Sequence, residues 1–141
     1  MKIKIVKINK NAKIPNYAHD GDAGMDLFSC VDEKILPKER KAIATGISLE
    51  IPKGYVGLIW DKSGLAVKSG IKTMAGVIDS GYRGEIQIVI YNTSQEQFIF
   101  EKGDKVAQML IQKVENPELV EVKNISQTNR GADGFGSTGK N

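Results

Sequence analysis

Alternating apolar and polar residues run through much of the chain. Near the start, Ile3, Ile5 and Ile8 alternate with lysines, apart from one slip at Val6. The segment 86–91 again has an isoleucine at every second position. A period of two residues is typical of a β-strand with one face on a core. We therefore predict strands at the start of the chain and around 86–91.

Apolar runs rich in β-branched residues predict the other strands. They cover 40–51 and 55–60, with a Pro-Lys-Gly turn between them, and also 105–112. The shorter run 119–122 is predicted to be a last strand. Many short strands separated by turns indicate an all-β protein, and we expect a distorted jelly roll or β-sandwich.

One segment has the signals of a helix. Ser63 is a candidate N-cap and Gly70 a candidate stop, which predicts a short helix over roughly 63–68.

The C-terminal segment 126–141 has a different composition. It contains four glycines, two serines and two threonines, and Phe135 is its one large apolar residue. Such a segment buries too little apolar surface to offset its ordering entropy. We therefore expect a β domain over 1–125 and a flexible C-terminal lid over 126–141.

Size and charge narrow the possible functions. A chain of 141 residues suits one domain with a real core. The net charge of +3 is small and no basic run exceeds two residues, so a nucleic-acid partner is not expected. Cys30 is the single cysteine, and no apolar run has the length of a signal peptide or a membrane span. We expect a cytoplasmic protein without a membrane partner.

Five short segments combine glycine with small polar or charged residues. Glycines let backbone N–H groups approach a ligand closely, and consecutive free N–H groups form concavities that bind anions. One such segment is most simply a turn, but five in a small chain favour an anion site. They are 23–27 (AGMDL), 62–66 (KSGLA), 76–85 (GVIDSGYRGE), 103–108 (GDKVAQ) and 130–139 (RGADGFGSTG).

In this order, the five segments resemble the motifs of the trimeric deoxyuridine triphosphatase (dUTPase) family. GVIDSGYRGEI and RGADGFGSTG are the most specific of them. The resemblance implies a dUTP diphosphatase, which hydrolyses dUTP to dUMP and pyrophosphate with Mg²⁺. That reaction limits uracil incorporation into DNA and supplies dUMP for thymidylate synthesis. The resemblance also implies a homotrimer in which each active site draws on three subunits.

Asp79 is the candidate catalytic residue. Taken alone, its carboxylate is more simply explained by hydrogen bonds within its own turn. The resemblance implies that it positions the attacking water and accepts its proton, help typically worth about 10²–10⁴-fold. Tyr82 is then expected to pack on deoxyribose and exclude a 2′-hydroxyl, while backbone groups of Val77, Ile78 and Gln87 read uracil.

The resemblance also assigns a phosphate site. Ser63, Gly64 and Gln108 are expected to donate hydrogen bonds to the phosphates, with Lys62 nearby. The family usually has arginine at the position of Lys62, and lysine keeps the charge but loses the bidentate fork. Asp26 is expected to support metal-bound waters. A Mg²⁺ ion held mainly by triphosphate and water suits a chain with one histidine and one cysteine.

The tail has expected contacts of its own. By the same resemblance, Arg130 contacts the γ-phosphate and Phe135 stacks on uracil. Gly136 and Ser137 supply phosphate donors when the lid closes. Asp133 stands where glycine is frequent in the family, and we expect it to face water.

Three alternatives remain open at this point. The related dCTP deaminases have a catalytic glutamate and an arginine where this chain has Val89 and Val67. A noncatalytic nucleotide-binding trimer would not need Asp79 or the complete tail. A structural jelly-roll domain would leave the five motifs unexplained.

Overall fold

The computed structural model describes residues 1–134. This part of the chain forms short strands and one seven-residue helix. In chain order they are β1 (Lys4–Lys7), β2 (Gly24–Phe28), β3 (Glu33–Ile35), β4 (Arg40–Ala44), β5 (Ile47–Glu50), β6 (Tyr55–Trp60), α1 (Ser63–Ser69), β7 (Ile71–Met74), β8 (Val77–Ile78), β9 (Gln87–Asn92), β10 (Phe98–Phe100) and β11 (Lys105–Lys113).

All strand pairs are antiparallel and they form four small sheets. The largest has the order β2-β11-β6-β8, and a second has the order β4-β9-β7. The pairs β1-β5 and β10-β3 complete the described sheets. The predicted all-β jelly roll with one short helix is confirmed. No helix within residues 1–134 is long and apolar enough to cross a membrane.

Aliphatic side chains from different sheets form one core. On β9, Ile88 and Ile90 are buried while Gln87 is exposed, as the alternating pattern predicted. Several large core residues are at most 1% exposed: Leu27, Ile35, Ile43, Ile47, Ile86, Phe100 and Met109. Burying side chains of this size typically contributes about 1.5–3 kcal/mol each, so the core supplies much of the stability.

The segment 40–51 is extended as predicted, but it forms two strands, β4 and β5, with a break between them. Gly46 has a left-handed φ of 69° and redirects the chain between them. As a result β4 pairs with β9, whereas β5 pairs with β1. A Cβ at Gly46 would lie 2.7 Å from Asn9 Cβ and 2.9 Å from Ala12 Cβ, so the site is crowded as well.

Two further predictions need correction. Lys62, not Ser63, is the N-cap of α1, and it makes no side-chain capping bond; Ser63 is the first helical residue. Gly70 does end the helix, with φ 64° and ψ 26°.

The strand predicted over 119–122 is absent from the structure, where Leu119 and Val120 are 92% and 69% exposed. An apolar run alone does not make a strand, because its N–H and C=O groups also need a partner strand.

We predict that Gly46→Ala destabilises the fold. The left-handed φ costs a side chain about 1–2 kcal/mol, and crowding adds about 1–3 kcal/mol. The free energy of unfolding, measured in urea at a fixed protein concentration, should fall by about 2–5 kcal/mol.

Gly54→Ala is the matched control. Gly54 has φ 84°, but an added Cβ there meets nothing within 4 Å. It should lose only the conformational part, about 1–2 kcal/mol. Equal losses in the two variants would show that the crowding at Gly46 is unimportant.

Candidate active site

The residues predicted to bind uracil and deoxyribose lie together with Asp79. Val77, Ile78, Asp79, Tyr82 and Gln87 all line one cavity of about 220 Å³. Glu85 is the sixth lining residue. The sequence grouped these five residues through the family motif, and the fold places them around one space.

Asp79 follows directly after the short strand β8. Its main-chain carbonyl accepts the N–H of Tyr82 at 3.0 Å, which closes the turn. Its side chain is exposed and accepts no hydrogen bond from residues 1–134. The turn is therefore closed by backbone rather than by the carboxylate, which stays open to water.

The rest of the turn is braced by its own side chains. The Tyr82 hydroxyl donates to the Glu85 carbonyl at 3.0 Å. Arg83 Nη1 donates to the carbonyls of Ser80 and Tyr82, at 2.7 Å each. These bonds fix the backbone on both sides of Tyr82.

Glu85 is a site residue that the sequence reasoning missed. Its Oε1 accepts the N–H of Gly46 at 2.8 Å, and its Oε2 lies 3.4 Å from Gln87 Nε2. Two more bonds join the same regions, from Thr45 Oγ1 to the Ile86 carbonyl at 2.5 Å and from the Ile86 N–H to the Ile47 carbonyl at 2.9 Å. Glu85 therefore ties the Asp79 turn to the break between β4 and β5. The sequence signal that could have pointed to Glu85 is a charged residue directly before Ile86, where the alternating strand pattern begins.

Two of the predicted phosphate residues, Lys62 and Gln108, belong to a second cavity of about 420 Å³, which Ser63 and Gly64 do not line. Asp26, Lys62 and Gln108 line it, together with Gly24 and Asp61. These side chains come from β2, the start of α1 and β11. Because β2 and β6 both pair with β11, the sheet brings these distant segments together.

Asp26 is a buried carboxylate between two lysines. Its side chain is 4% exposed, and Lys62 Nζ lies 2.5 Å from Oδ1. Lys105 Nζ lies 2.6 Å from Oδ2, although at an angle unsuited to a hydrogen bond. Burial by itself would raise the pKa of Asp26, but the ammonium groups of Lys105 and Lys62 outweigh it and lower the pKa. Asp26 is therefore ionised at neutral pH.

Lys105 had no predicted role, although it lies in the motif GDKVAQ. Lys62 and Lys105 carry two positive charges against the single charge of Asp26. Their side chains are 26% and 45% exposed. Lys62 lines the cavity, whereas Lys105 contacts the Asp26 carboxylate on its wall without lining it. The two lysines therefore outnumber the one carboxylate that they both contact.

Gln108 is held by the backbone of its neighbours. Its Nε2 donates to the Asp61 carbonyl at 2.8 Å. A Cβ on Gly24 would lie 2.6 Å from Gln108 Oε1, so the amide fits only because residue 24 has no side chain. An amide nitrogen has two hydrogens, and the second is available to a ligand.

The remaining predicted residues are more exposed. Ser63 and Gly64 form the start of α1, where N–H groups have no partner within the helix. Arg130 Nε donates to the Asp133 carbonyl at 3.0 Å, and Asp133 is exposed. Phe135, Gly136 and Ser137 lie outside the described residues.

The two cavities share no lining residue. We call the cavity around Asp26 the two-lysine cavity, because Lys62 and Lys105 both contact that carboxylate. A third cavity shares Trp60 with it and Val77 with the Asp79 cavity, so the two are distinct cavities within residues 1–134.

Comparison with known proteins identifies the family. The sequence model of the dUTPase family matches residues 10–139. A deoxyuridine 5′-triphosphate nucleotidohydrolase of Clostridium kluyveri is 48% identical over 99% of both chains. The one from Nautilia profundicola is 49% identical over 99% of this chain and all of its own. The chain belongs to the dUTPase family. It is therefore an enzyme of the dUTP diphosphatase type, as its motifs predicted.

Solved dUTPases share the fold. A mutant Staphylococcus bacteriophage 80alpha dUTPase with dUpNHpp has a TM-score of 0.89 and 31% identity, with 98% of each chain covered. A mutant dUTPase of Staphylococcus aureus phage phi11, with a structural Mg(II) ion, has a TM-score of 0.83 and 29% identity. It covers 88% of this chain and 98% of its own.

The donor set of this dUTPase suits a metal ion that the substrate carries. Residues 1–134 contain no cluster of three histidine, cysteine or carboxylate side chains that could hold a metal by themselves. In the second cavity, Asp26 and Asp61 are each already paired with lysine. Mg²⁺ commonly keeps several waters and binds through substrate phosphates with few protein ligands, which fits this arrangement.

We predict that Asp26→Asn changes the acid stability of this dUTPase. The folded pKa of Asp26 lies below its ordinary value of 3.8. The ionised carboxylate therefore stabilises the fold above about pH 4, and this contribution is lost as pH falls through the folded pKa. Between pH 5 and pH 3, the free energy of unfolding should fall more steeply in the wild type than in the variant.

At pH 7 the variant should be the less stable protein. Its lysines reach water, so the loss should be smaller than the roughly 3–5 kcal/mol for breaking a fully buried pair. The exposed Asp20 supplies the control Asp20→Asn. Urea unfolding at each pH measures both effects, and parallel wild-type and Asp26→Asn curves would contradict the assignment.

Proposed function

We propose that this chain hydrolyses dUTP to dUMP and pyrophosphate as a Mg²⁺-dependent homotrimer. The observation that carries the proposal is the pair of separate cavities in a dUTPase-family chain. One combines an unpartnered carboxylate, Asp79, with an aromatic ring and a strand end. The other has two lysines around one carboxylate.

Asp79 acts on water in this proposal. Its carboxylate orients a water molecule toward the α-phosphorus and accepts one of its protons. The water oxygen forms the new bond to phosphorus, the bond to the α–β bridging oxygen breaks, and pyrophosphate leaves with that oxygen. The exposed, unbonded carboxylate of Asp79 supports this role, since a base must be within reach of its water.

The edge of β8 supports uracil recognition. Within the described sheet, β8 is the last strand and pairs only with β6. An edge strand has N–H and C=O groups that do not pair within the sheet. In our proposal the main chain of Val77 and Ile78, together with Gln87, reads the uracil edge, and the Tyr82 ring excludes a 2′-hydroxyl.

The second cavity binds the triphosphate. Lys62 and Lys105 supply positive charge, and Gln108 donates its second amide hydrogen. Ser63 and Gly64 add donors from the start of α1. A Mg²⁺ ion bound through the phosphates would neutralise charge that develops as the α–β bond breaks, and Asp26 would accept hydrogen bonds from its waters.

Assembly brings the two cavities together. Because they are separate on one chain, the proposed site combines the Asp79 cavity of one subunit with the two-lysine cavity of another. The tail of the third subunit then contributes Arg130, Phe135, Gly136 and Ser137. Exposed apolar side chains support assembly, since contiguous apolar surface usually marks a contact. They include Leu119, Val120, Val122 and Ile125, which are 57–92% exposed. The cytoplasmic location stays a prediction.

Asp79→Asn tests the catalytic role. The amide keeps the shape but cannot accept the proton, so kcat for dUTP should fall by about 10²–10⁴-fold. Affinity for the nonhydrolysable analogue dUpNHpp should stay close to that of the wild type. Product release is measured as dUMP and pyrophosphate.

Asp32→Asn controls for the loss of a carboxylate, because Asp32 is on neither cavity. Near-normal turnover by Asp79→Asn would refute its role. The same assay on dTTP, dCTP and UTP tests the substrate: we expect dUTP to be strongly preferred. Formation of dUTP or dUMP from dCTP would instead support a deaminase.

Removal of residues 130–141 tests the lid. Residues 115–134 are exposed, so the truncated chain should fold with a nearly unchanged melting temperature. It should lose most dUTP turnover because Arg130 and the stacking ring are gone. A chain lacking only the last two residues is the control.

Mixing tests whether sites are shared between subunits. Truncated chains and Asp79→Asn chains should each be nearly inactive alone. Refolded together, they should regain activity, because some sites then combine an intact Asp79 with an intact tail. Retained activity after truncation would rule out the lid, and no recovery on mixing would rule out shared sites.

A further inference from the structure

Gly84 lies beneath the Tyr82 ring in the turn that carries Asp79. A Cβ built at Gly84 would be 2.3 Å from the tyrosine hydroxyl oxygen, 2.5 Å from Cζ and 2.9 Å from Cε2. All three distances are below any normal contact. The ring therefore rests on the open side of a residue without a side chain.

The backbone of Gly84 does not itself require glycine. Its φ lies outside the left-handed region, unlike that of Gly46 or Gly70. An L-residue is therefore compatible with the local chain direction, and the ring of Tyr82 is what occupies the place of a side chain.

Two contacts hold the Tyr82 ring in this arrangement. Its hydroxyl donates to the Glu85 carbonyl at 3.0 Å, so the far end of the ring is tied to the residue that follows Gly84. The ring itself is 46% exposed, and its cavity face is open. Contact with Gly84 and one hydrogen bond thus hold an otherwise exposed side chain.

The backbone around Gly84 is less free to move than the ring. The Arg83 carbonyl accepts a hydrogen bond from Ser48 Oγ at 2.7 Å, and the Ile86 N–H donates to the Ile47 carbonyl at 2.9 Å. A side chain added at residue 84 would therefore be relieved by rotation of the exposed tyrosine ring rather than by a backbone shift.

We propose that Gly84 is a positioning residue that sets the discrimination between deoxyribonucleotide and ribonucleotide through Tyr82. The inference rests on the proposed function, in which the ring occupies the space that a 2′-hydroxyl would need. The bare Cα of Gly84 lets the ring lie where it closes that space. A methyl group at residue 84 moves the ring and weakens the exclusion.

Gly84→Ala tests this role in the full-length enzyme. The readout is the ratio of kcat/KM for dUTP to kcat/KM for UTP. It should fall by at least about tenfold, within the range that one pocket contact typically contributes to selectivity. The loss for dUTP should appear mainly in KM, because Asp79 is retained. The melting temperature should stay close to that of the wild type.

Gly81→Ala is the matched control. Gly81 lies in the same turn, its φ is not left-handed, and an added Cβ meets nothing within 4 Å. For Gly81→Ala, the ratio of kcat/KM for dUTP to kcat/KM for UTP should stay near that of the wild type. An equal fall in both variants would overturn the proposal, because any alteration of the turn would then have the same effect.

A double mutant shows whether Gly84 acts through the ring. In a Tyr82→Ala background there is no ring to displace, so adding Gly84→Ala should leave the ratio unchanged. The same fall in that background would overturn the proposal, as would an unchanged ratio in the single variant. Loss of folding in Gly84→Ala would also contradict it, since ring rotation costs the fold little. A wild type that fails to hydrolyse dUTP, or hydrolyses UTP equally well, would instead refute the proposed function.

Discussion

The Gly46 N–H donates to the carboxylate of Glu85, and the position of the Asp79 cavity depends on this contact. A hydrogen bond to a charged group typically contributes about 1.5–3 kcal/mol. It can form only because Gly46 adopts a left-handed φ and leaves room for Asn9, Ala12 and Cys30. The break at Gly46 also separates β4 from β5, so that the segment 40–51 contributes one strand to the β4-β9-β7 sheet and another to the β1-β5 pair. The turn is therefore placed by long-range contacts and braced by short-range ones. Burial raises the pKa of the Cys30 thiol beside this junction, and the charge of Glu85 adds to the effect.

The two-lysine cavity depends instead on a balance between opposite charges. A buried carboxylate costs free energy unless it is paired, and two lysines pair with Asp26. In the proposed function, this arrangement keeps both ammonium groups beside Asp26 before a phosphate group binds. Lysine suits it because a compact ammonium on a flexible stem can turn from Asp26 toward a ligand. The charge of Asp26 thus offsets part of the positive charge that the two lysines would offer to a phosphate group.

Local sequence pattern predicted the strands but not their partners. Alternation alone marked β9, because Ile88 and Ile90 must share one face. It missed the break at Gly46, because the left-handed φ of this glycine accompanies a change of partner strand, from β9 for β4 to β1 for β5, and a local pattern does not contain the partners. The apolar run at 119–122 has the reverse problem, since its composition fits a strand but residues 1–134 give it no partner.

The same limit applies to the site. The motif predicted Asp79 and Tyr82 as site residues, because both belong to one short segment, and both line one cavity. It could not identify Lys105, whose meaning comes from Asp26 on a neighbouring strand. Nor could it assign Gly84, because a glycine in a turn is usually explained by its own φ, and here the reason is a ring that folds back over it.

The separation of the two cavities links activity to assembly in the proposed enzyme. In one chain the exposed Asp79 carboxylate faces water, which screens its charge and leaves its orientation unconstrained. Electrostatic help to a reacting phosphate is strongest where water is excluded and the groups are already oriented. In the proposed trimer, one subunit cannot exclude water from a cavity whose opposite wall belongs to another chain. Subunit contact would supply that wall, and closure of a third tail would complete it. On this proposal the exposed apolar segment and the exposed carboxylate have the same physical explanation, because each is half of a contact that a second copy completes.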